Sequence, residues 1–197
     1  MDCSNFSSYD GLIFDMDGTV IDTMPCHRKA WDRVGEAMGY SLNGDIMYKL
    51  GGATVRTIAL EMMKECSMPL ELLDQVLRLK RKLGLEIIME QATLLPAAEV
   101  LKSFSGKKPI ALGTGSHRDI TLKLLEKFNL NSYLNAVVTA EDVINHKPEP
   151  DTFLRCAELI GVNPKNCLVF EDADLGVQAG LAAGMQVFDV RIKQFVR

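Results

Sequence analysis

The chain has 197 residues, of which 47% are hydrophobic and 24% are charged, and its net charge at pH 7 is −4. This composition is typical of a globular protein with one domain, or with one domain that carries an insertion. The acidic balance leaves no basic surplus for neutralising phosphates, so we expect no nucleic-acid partner. No stretch approaches the roughly 18 apolar residues of a membrane span, so we expect no membrane partner either.

Residues 1–10 lack the apolar core of a signal peptide. The five cysteines lie far apart and form no CxxC pair, which is typical of reduced thiols inside the cell. The sequence therefore predicts a cytoplasmic protein, with a monomer as the expected oligomeric state.

The first predicted element is a strand at Leu12, Ile13 and Phe14. Three apolar residues without polar alternation indicate a strand buried on both faces, as in a parallel sheet. Asp15 and Asp17 follow at the carboxyl end of this strand. Open α/β sheets bind their ligands at that edge, so the two carboxylates predict a ligand site.

The chain then changes to helical periodicity. Helices are predicted within residues 22–40, 51–67, 69–91 (as one or two) and 95–105. No segment between residues 22 and 92 has the pattern of a strand. The basic run at residues 78–82 is interpreted as a solvated helix face.

The second half of the chain alternates strands with helices. Strands are predicted at 109–114, 136–140, 167–172 and 186–190, and helices at 117–128, 151–160 and 175–183. This alternation indicates βαβ units and a parallel sheet covered by helices. We therefore predict an α/β protein with a Rossmann-like three-layer core formed by residues 1–21 and 93–197. Residues 22–92 are predicted to form an inserted, all-helical cap domain that lies over the ligand edge as a lid.

Four strand ends carry polar groups, and parallel geometry gathers them at one edge of the sheet. At the first, the Asp15 carboxylate is a candidate nucleophile, and a protonated Asp17 is a candidate proton donor to a leaving oxygen. Gly18 permits a sharp turn and the close approach of a ligand. The alternative for the two aspartates is a capping pair at a strand–helix turn.

The second group is Thr114, Gly115 and Ser116, which combines hydroxyls with a tight turn before a predicted helix. Backbone N–H groups at a helix N-terminus bind phosphate. Ser116 with Asp119 resembles a capping box for that helix. An ordinary strand–helix turn is the alternative interpretation.

The third group is Lys147, which precedes prolines that keep the chain out of a helix until Asp151, the predicted cap. A lysine on such a stiff loop suits the neutralisation of phosphate charge. The fourth group is Glu171 and Asp172, just before Asp174. Carboxylates gathered at one point repel one another without a cation, and Mg²⁺ takes such oxygen ligands. The predicted cofactor is Mg²⁺; a solvated acidic turn is the alternative.

Together these groups form the ordered set DxDGT, a threonine at a strand end, Lys-Pro and Glu-Asp. The set resembles the four signature motifs of the haloacid dehalogenase-like (HAD) hydrolases, over essentially the whole chain. The segments FDMDGTVIDT, HRKAW, HKPEPDTF and FEDADLGVQAGLAAGM are similar to the β-phosphoglucomutase-like subgroup, and above all to its fructose-1-phosphate phosphatases.

The resemblance implies a role for each core residue. Asp15 attacks phosphorus and becomes an aspartyl-phosphate, while Asp17 protonates the departing oxygen and then helps to activate water. Mg²⁺ is held by the Asp15 carboxylate, the Asp17 backbone carbonyl and Asp172, and Glu171 acts mainly through bound water. The implied phosphate site consists of Thr114, Gly115, Ser116 and Lys147.

In the cap, His27, Arg56 and Lys80 fall at positions that approach the substrate or the hinge in the resembling mutases; the alternative is exposed helix residues. The resemblance implies a Mg²⁺-dependent phosphatase of small sugar phosphates, of the fructose 1-phosphate type. A phosphomutase such as β-phosphoglucomutase is the alternative enzyme, which differs in how long the cap excludes water. A catalytically silent binding protein is the third hypothesis, and the intact motifs disfavour it.

Overall fold

The computed structural model describes residues 3–50 and 53–196. Its strands are β1 (Gly11–Phe14), β2 (Ile21–Asp22), β3 (Thr93–Leu94), β4 (Ile110–Gly113), β5 (Ala136–Val138), β6 (Cys167–Glu171), β7 (Gln186–Asp189) and β8 (Gln194–Val196). Its helices are α1 (Met24–Met38), α2 (Ile46–Lys49), α3 (Val55–Glu65), α4 (Leu73–Gln91), α5 (Pro96–Phe104), α6 (Arg118–Lys127), α7 (Asp151–Leu159) and α8 (Asp174–Ala182). Six strands form one sheet in the order β5-β4-β1-β6-β7-β8. All neighbours in it are parallel except β7 and β8.

Residues of the inner strands alternate between two apolar cores, one on each face of the sheet. Leu12 and Phe14 of β1 face the core that includes α5 and α6, where Phe170 stacks on Phe14 with ring centroids 4.4 Å apart. Ile13 faces the opposite core, which includes Phe153 of α7. The whole of β1 is buried, as its apolar run predicts. The predicted α/β fold, a largely parallel sheet between two layers of helices, is confirmed.

Helices α1 to α4 lie between β2 and β3 and have an apolar core of their own. Trp31 and Val34 of α1 pack there with Met62 and Met63 of α3 and Val76 of α4. The predicted helical insertion is thus visible as a separately packed unit, called the helical cap from here on. Its boundaries at residues 22 and 92 stay a prediction.

The contacts that join the helical cap to the α/β core include a strand pair and a lysine at the end of α4. Strands β2 and β3 pair antiparallel, with Ile21 opposite Leu94, so the two connecting segments run side by side. The ammonium group of Lys127 on α6 donates to the carbonyl of Met89 at 2.8 Å, near the end of α4. A cation at this end of a helix satisfies carbonyls that have no partner within the helix.

Three short strands are not predicted by the sequence pattern. The prediction that no strand lies in residues 22–92 is wrong at Asp22, which belongs to β2. A strand of two residues shows no periodicity, so only the pairing with β3 defines it. Strand β8 is likewise an edge strand, with Phe195 exposed, and lacks the buried apolar run of the parallel strands.

Helix ends also differ from the prediction. Helix α3 begins at Val55 because the hydroxyl of Thr54 accepts a hydrogen bond from the backbone N–H of Thr57 at 3.2 Å. Gly51 and Gly52, which the prediction places in this helix, lie outside the described residues. Residues 69–91 form a 3₁₀ turn followed by the continuous helix α4.

No helix in residues 3–50 or 53–196 is long and apolar enough to cross a membrane. The cysteines at positions 26, 66, 156 and 167 are free thiols. The side chain of Cys3 lies outside the described part of the chain.

Candidate active site

The sheet order brings three of the predicted polar strand ends together. Because β1 lies between β4 and β6, Asp15 after β1 is flanked by Thr114 after β4 and by Glu171 at the end of β6. These residues line a cavity of about 90 Å³ beneath the helical cap. The remaining predicted residues on its wall are Asp17, His27, Lys80, Gly115, Ser116 and Asp172.

Lys147 is buried at the floor of this site. Its ammonium group donates to Oδ1 of Asp15 and to Oε1 of Glu171, each at 2.6 Å, and lies 4.6 Å from the ring centroid of Phe153. Burial alone would lower the pKa of Lys147, but the two carboxylates outweigh it and raise the pKa above its usual value. Lys147 is therefore positively charged at neutral pH, and its hydrogen-bond partners in this structure are two carboxylates.

Three carboxylates form a group that could hold a metal ion. Oxygens of Asp15, Glu171 and Asp172 all lie within 4.8 Å of one another. Burial and the charge of Glu171 raise the pKa of Asp172 to about 7, although the hydroxyl of Thr19 donates to it at 2.9 Å. Burial also raises the pKa of Asp15, and the nearby carboxylates add to this effect.

Both the charge and the shape of this group fit a small divalent cation. One ammonium group faces three carboxylates, so negative charge is in excess, and oxygen donors are the ligands that Mg²⁺ prefers. Gly18 has a φ of +88°, and a Cβ there would lie 2.2 Å from Oδ2 of Asp172. Only glycine therefore leaves room for this carboxylate beside the DxDGT turn.

The side chain of Asp17 is directed away from this metal group and toward hydroxyls. It accepts hydrogen bonds from Thr23 and Ser116, each at 2.6 Å, and from Thr114 at 3.2 Å, while Nε2 of His27 lies 3.5 Å away. Burial opposes its ionisation, but the contacts with His27, Ser116 and Thr23 outweigh this and lower the pKa of Asp17 to about 2. Asp17 is thus an ionised acceptor here, and only its backbone carbonyl stays a predicted metal ligand.

The helical cap contributes a buried pair to the site. Nζ of Lys80, which is only 4% exposed, lies 3.0 Å from Nδ1 of His27. Burial lowers the pKa of Lys80 to about 8. Burial and the neighbouring Lys80 also lower the pKa of His27, which favours a neutral ring. With Nδ1 accepting from the ammonium group, the proton of the ring is on Nε2, on the side of Asp17.

A second cavity of about 560 Å³ adjoins the first and shares His27, Lys80 and Ser116 with it. Arg56 lies on its wall and is exposed. Every predicted site residue except Lys147 therefore lies on the wall of one of these two connected cavities. Lys147 lies beneath the first cavity.

Two local predictions in this region are wrong. Ser116 does not cap α6 with Asp119: His117 precedes the helix, the Ser116 hydroxyl bonds to Asp17, and Asp119 pairs with Arg81 at 2.7 Å. Asp151 does not cap α7 either, since it is the first helical residue and accepts a hydrogen bond from Asn145 at 2.9 Å.

Two functional contacts are missed by sequence reasoning. Thr23, the residue before α1, donates to Asp17, and Thr19 donates to Asp172. For Thr19 the DxDGT motif itself is the signal that could have found it. Nothing local marks Thr23, because its role depends on how α1 docks on the sheet.

Known proteins are similar to this chain in sequence. Residues 9–184 match the model of a hydrolase family described as haloacid dehalogenase-like hydrolase. A protein of Haemophilus influenzae is 59% identical over 196 residues, which span 100% of this chain and 98% of that protein. Fructose-1-phosphate phosphatase YqaB of Escherichia coli is 43% identical over 187 residues, which span 95% of this chain and 99% of that enzyme.

The fold is also similar to a solved structure. The crystal structure of β-phosphoglucomutase from Clostridium difficile superimposes on this chain with a TM-score of 0.80 and 25% sequence identity. The match covers 92% of this chain and 84% of the mutase chain. The family model and the similar phosphatase confirm the resemblance. The chain belongs to the haloacid dehalogenase-like hydrolase family.

Proposed function

We propose that this protein is a Mg²⁺-dependent phosphatase of small sugar phosphates, of the fructose 1-phosphate type, that works through an aspartyl-phosphate on Asp15. Family membership and a relative named as a fructose-1-phosphate phosphatase support a phosphoric monoester hydrolase. The observation that carries the proposal is the convergence of Asp15, Lys147, Glu171 and Asp172 beneath one cavity. It supplies a nucleophile beside a fixed cation and a set of metal ligands.

In the first step, a carboxylate oxygen of Asp15 forms a bond to phosphorus as the bond from phosphorus to the sugar oxygen breaks. Asp17 gives that oxygen its proton. For this role Asp17 must first gain a proton, which its present hydrogen bonds oppose. Phosphoryl oxygens would compete for the hydroxyls of Thr114 and Ser116, and their negative charge would raise the pKa of Asp17. Substrate binding is therefore the event that makes Asp17 an acid.

In the second step, the Asp17 carboxylate accepts a proton from water as the water oxygen attacks phosphorus. The acyl-phosphate bond breaks, phosphate leaves, and Asp15 is restored as a carboxylate. Lys147 stays beside Asp15 throughout, where its charge stabilises the oxygens of the transferred group.

The metal site consists of the carboxylates of Asp15 and Asp172 and the backbone carbonyl of Asp17, with Glu171 acting through water. A bound Mg²⁺ ion supplies charge stabilisation at the phosphoryl oxygens and orients them. Glu171 is well placed for an indirect role, because its Oε1 accepts from Lys147 and its Oε2 accepts from the backbone N–H of Ala173 at 2.7 Å.

The helical cap forms the binding site for the sugar. The larger cavity of about 560 Å³ is in the range that takes small molecules. His27, Arg56 and Lys80 all lie on its wall, and we assign them contacts with the leaving sugar. Because a monoester carries its charge at the phosphoryl group, cationic residues around this cavity also attract the substrate from solution.

The test is phosphate release from a panel of sugar phosphates in the presence of Mg²⁺. We expect release from ketose and hexose phosphates, with fructose 1-phosphate among the best substrates, and no release by Asp15→Asn. Absence of release from every compound would support a catalytically silent protein and overturn the proposal.

β-Phosphoglucomutase activity is the second candidate, and the fold shared with the C. difficile mutase favours testing it. Conversion of β-glucose 1-phosphate to glucose 6-phosphate is followed with the bisphosphate activator present. We expect phosphate release to exceed conversion. Conversion far faster than release would replace the phosphatase by the mutase.

A further inference from the structure

Arg191, in the turn between β7 and β8, contacts two carboxylates near the metal group. Its guanidinium donates to Oδ1 of Asp189 at 3.0 Å and to Oδ2 at 2.6 Å. The same group donates to Oδ1 of Asp174 at 2.7 Å. Asp189 is the last residue of β7 and is 4% exposed, whereas Asp174 is the first residue of α8. One side chain thus links the end of a strand to the start of a helix.

Asp189, the first partner of Arg191, lies beside the end of β6. Asp189 is the register partner of Glu171, and the backbone N–H of Val190 donates to the carbonyl of Glu171 at 2.9 Å. The Asp189 carboxylate also accepts from the backbone N–H of Arg191 at 2.9 Å. The backbone at Arg191 is therefore tied to the ends of β6 and β7.

Asp174, the second partner of Arg191, directly follows the short segment that carries Asp172. Only Asp172 and Ala173 lie between Glu171, where β6 ends, and Asp174, where α8 begins. On the buried side of this segment, the backbone N–H of Ala173 donates to Oε2 of Glu171 at 2.7 Å. From outside, the segment is held by the pair of Asp174 with Arg191.

We propose that Arg191 is a positioning residue that sets the place of the Asp172 carboxylate for metal binding, by fixing the Asp172–Asp174 segment to the end of β7. A planar guanidinium with two carboxylate partners fixes geometry more strictly than a single exposed ion pair. Arg191 bonds to Asp174 and Asp189 and not to the three carboxylates of the metal group, so its effect on Asp172 passes through these two partners. This inference rests on the metal site of the proposed function.

The expected signature is a change in metal affinity in both Arg191→Gln and Asp174→Asn, which in Asp174→Asn comes without a matching loss of stability. The pair of Arg191 with Asp174 is exposed, with side-chain exposures of 45% and 78%, so its direct contribution to stability is small. Residues that orient metal ligands typically change metal affinity about 10- to 100-fold when replaced. For Arg191→Gln and for Asp174→Asn we expect Mg²⁺ binding to weaken about tenfold, near the lower limit of that range.

The experiment measures the Kd for Mg²⁺ of the substrate-free protein by calorimetry, and its melting temperature in EDTA. Arg191→Lys keeps the charge and is expected to restore part of the affinity. The double variant Arg191→Gln/Asp174→Asn is expected to bind no more weakly than Arg191→Gln alone, because Arg191→Gln has already removed the contact that Asp174→Asn removes. Arg155→Gln is the matched control, since Arg155 pairs with Glu158 at exposures of 43% and 68% on α7, and its Kd should equal that of the wild type.

A Kd for Arg191→Gln that equals the wild-type value overturns the inference, as does full additivity in the double variant. A lower melting temperature in EDTA with unchanged Kd shows a purely structural role and also overturns it. Failure of the wild type itself to bind Mg²⁺ would instead refute the metal site of the proposed function, so the two failures are distinguishable.

Discussion

The ammonium nitrogen of Lys147 lies 2.6 Å from Oδ1 of Asp15, and both side chains are buried although 132 positions separate them in the chain. The same nitrogen serves Glu171, and Asp172 completes the group of acidic side chains. One positive charge thus faces a surplus of negative charge in a place shielded from water. The proposed nucleophile, the buried cation and the proposed metal ligands form one electrostatic unit, so that a change at one of them alters the others.

Asp15→Asn should abolish phosphate release, because an amide cannot attack phosphorus. The metal-free variant should be at least as stable as the metal-free wild type, since burial of the Asp15 carboxylate disfavours its charged form more than Lys147 favours it, and the amide carries no charge. Phosphate assays and melting temperatures in EDTA check both parts. Asp74→Asn, at an exposed position on α4, is the control and should retain turnover. Wild-type turnover by Asp15→Asn would remove Asp15 from its proposed role.

Gly18→Ala and Gly39→Ala separate backbone strain from damage to the metal group. Both glycines have a left-handed φ, +88° and +74°, but only a Cβ at position 18 meets a neighbour, Oδ2 of Asp172 at 2.2 Å. Each variant should lose about 1 kcal/mol of stability from its backbone conformation. Only Gly18→Ala should also weaken Mg²⁺ binding, measured by calorimetry. Equal Mg²⁺ affinities of the two variants would contradict this account of Gly18.

Addition of Mg²⁺ to the metal-free protein should raise its melting temperature. A ligand that binds only the folded state at 100 times its Kd stabilises by about 2.7 kcal/mol. Asp172→Asn should lose most of this shift, whereas Asp74→Asn should keep it. Thermal scans in EDTA and in increasing Mg²⁺ provide the measurement. A full shift in Asp172→Asn would exclude Asp172 from the ligands.

Stability should depend on the protonation of Lys80. Its pKa is about 8 in the folded protein against 10.5 for a free lysine, so the unfolded chain binds more protons between these values. Burial of the charged Lys80 side chain destabilises the folded protein at pH values below about 8. This cost falls as the pH rises and is absent above pH 10.5, where the lysine is neutral in both states. The free energy of unfolding of the wild type relative to Lys80→Met should therefore rise by about 3 kcal/mol over this range.

Urea denaturation at several pH values measures this difference. Lys82→Met, at an exposed position of the same helix, should give a pH profile parallel to that of the wild type. If the difference in the free energy of unfolding between wild type and Lys80→Met is constant from pH 8 to 10.5, Lys80 is not desolvated as its burial indicates.

The sequence predicts the sheet well because its strands are apolar runs buried on both faces, as at residues 12–14. It also predicts that the polar strand ends meet, since parallel strands share one carboxyl edge. Strands β2 and β3 escape prediction, because only their mutual pairing makes them strands.

The partners of individual atoms are harder to predict than the set of residues. Thr23 and His27 reach Asp17 only because α1 docks on the sheet, and Ser116 turns to Asp17 instead of capping its helix. Lys147 pairs with Glu171 as well as Asp15 because a loop folds beneath the sheet edge. Such contacts depend on tertiary packing, which no local pattern encodes.

The pairing of Ile21 with Leu94 and of Asp22 with Thr93 means that the chain leaves and re-enters the sheet at adjacent points. Antiparallel partners lie about 5 Å apart, so a tight reverse turn is long enough to close this gap. The helical cap is thus inserted into the α/β core through two neighbouring connections. Exchanging it between relatives at these residues would replace the proposed sugar site together with Thr23 and His27, the two contacts that this segment makes with Asp17.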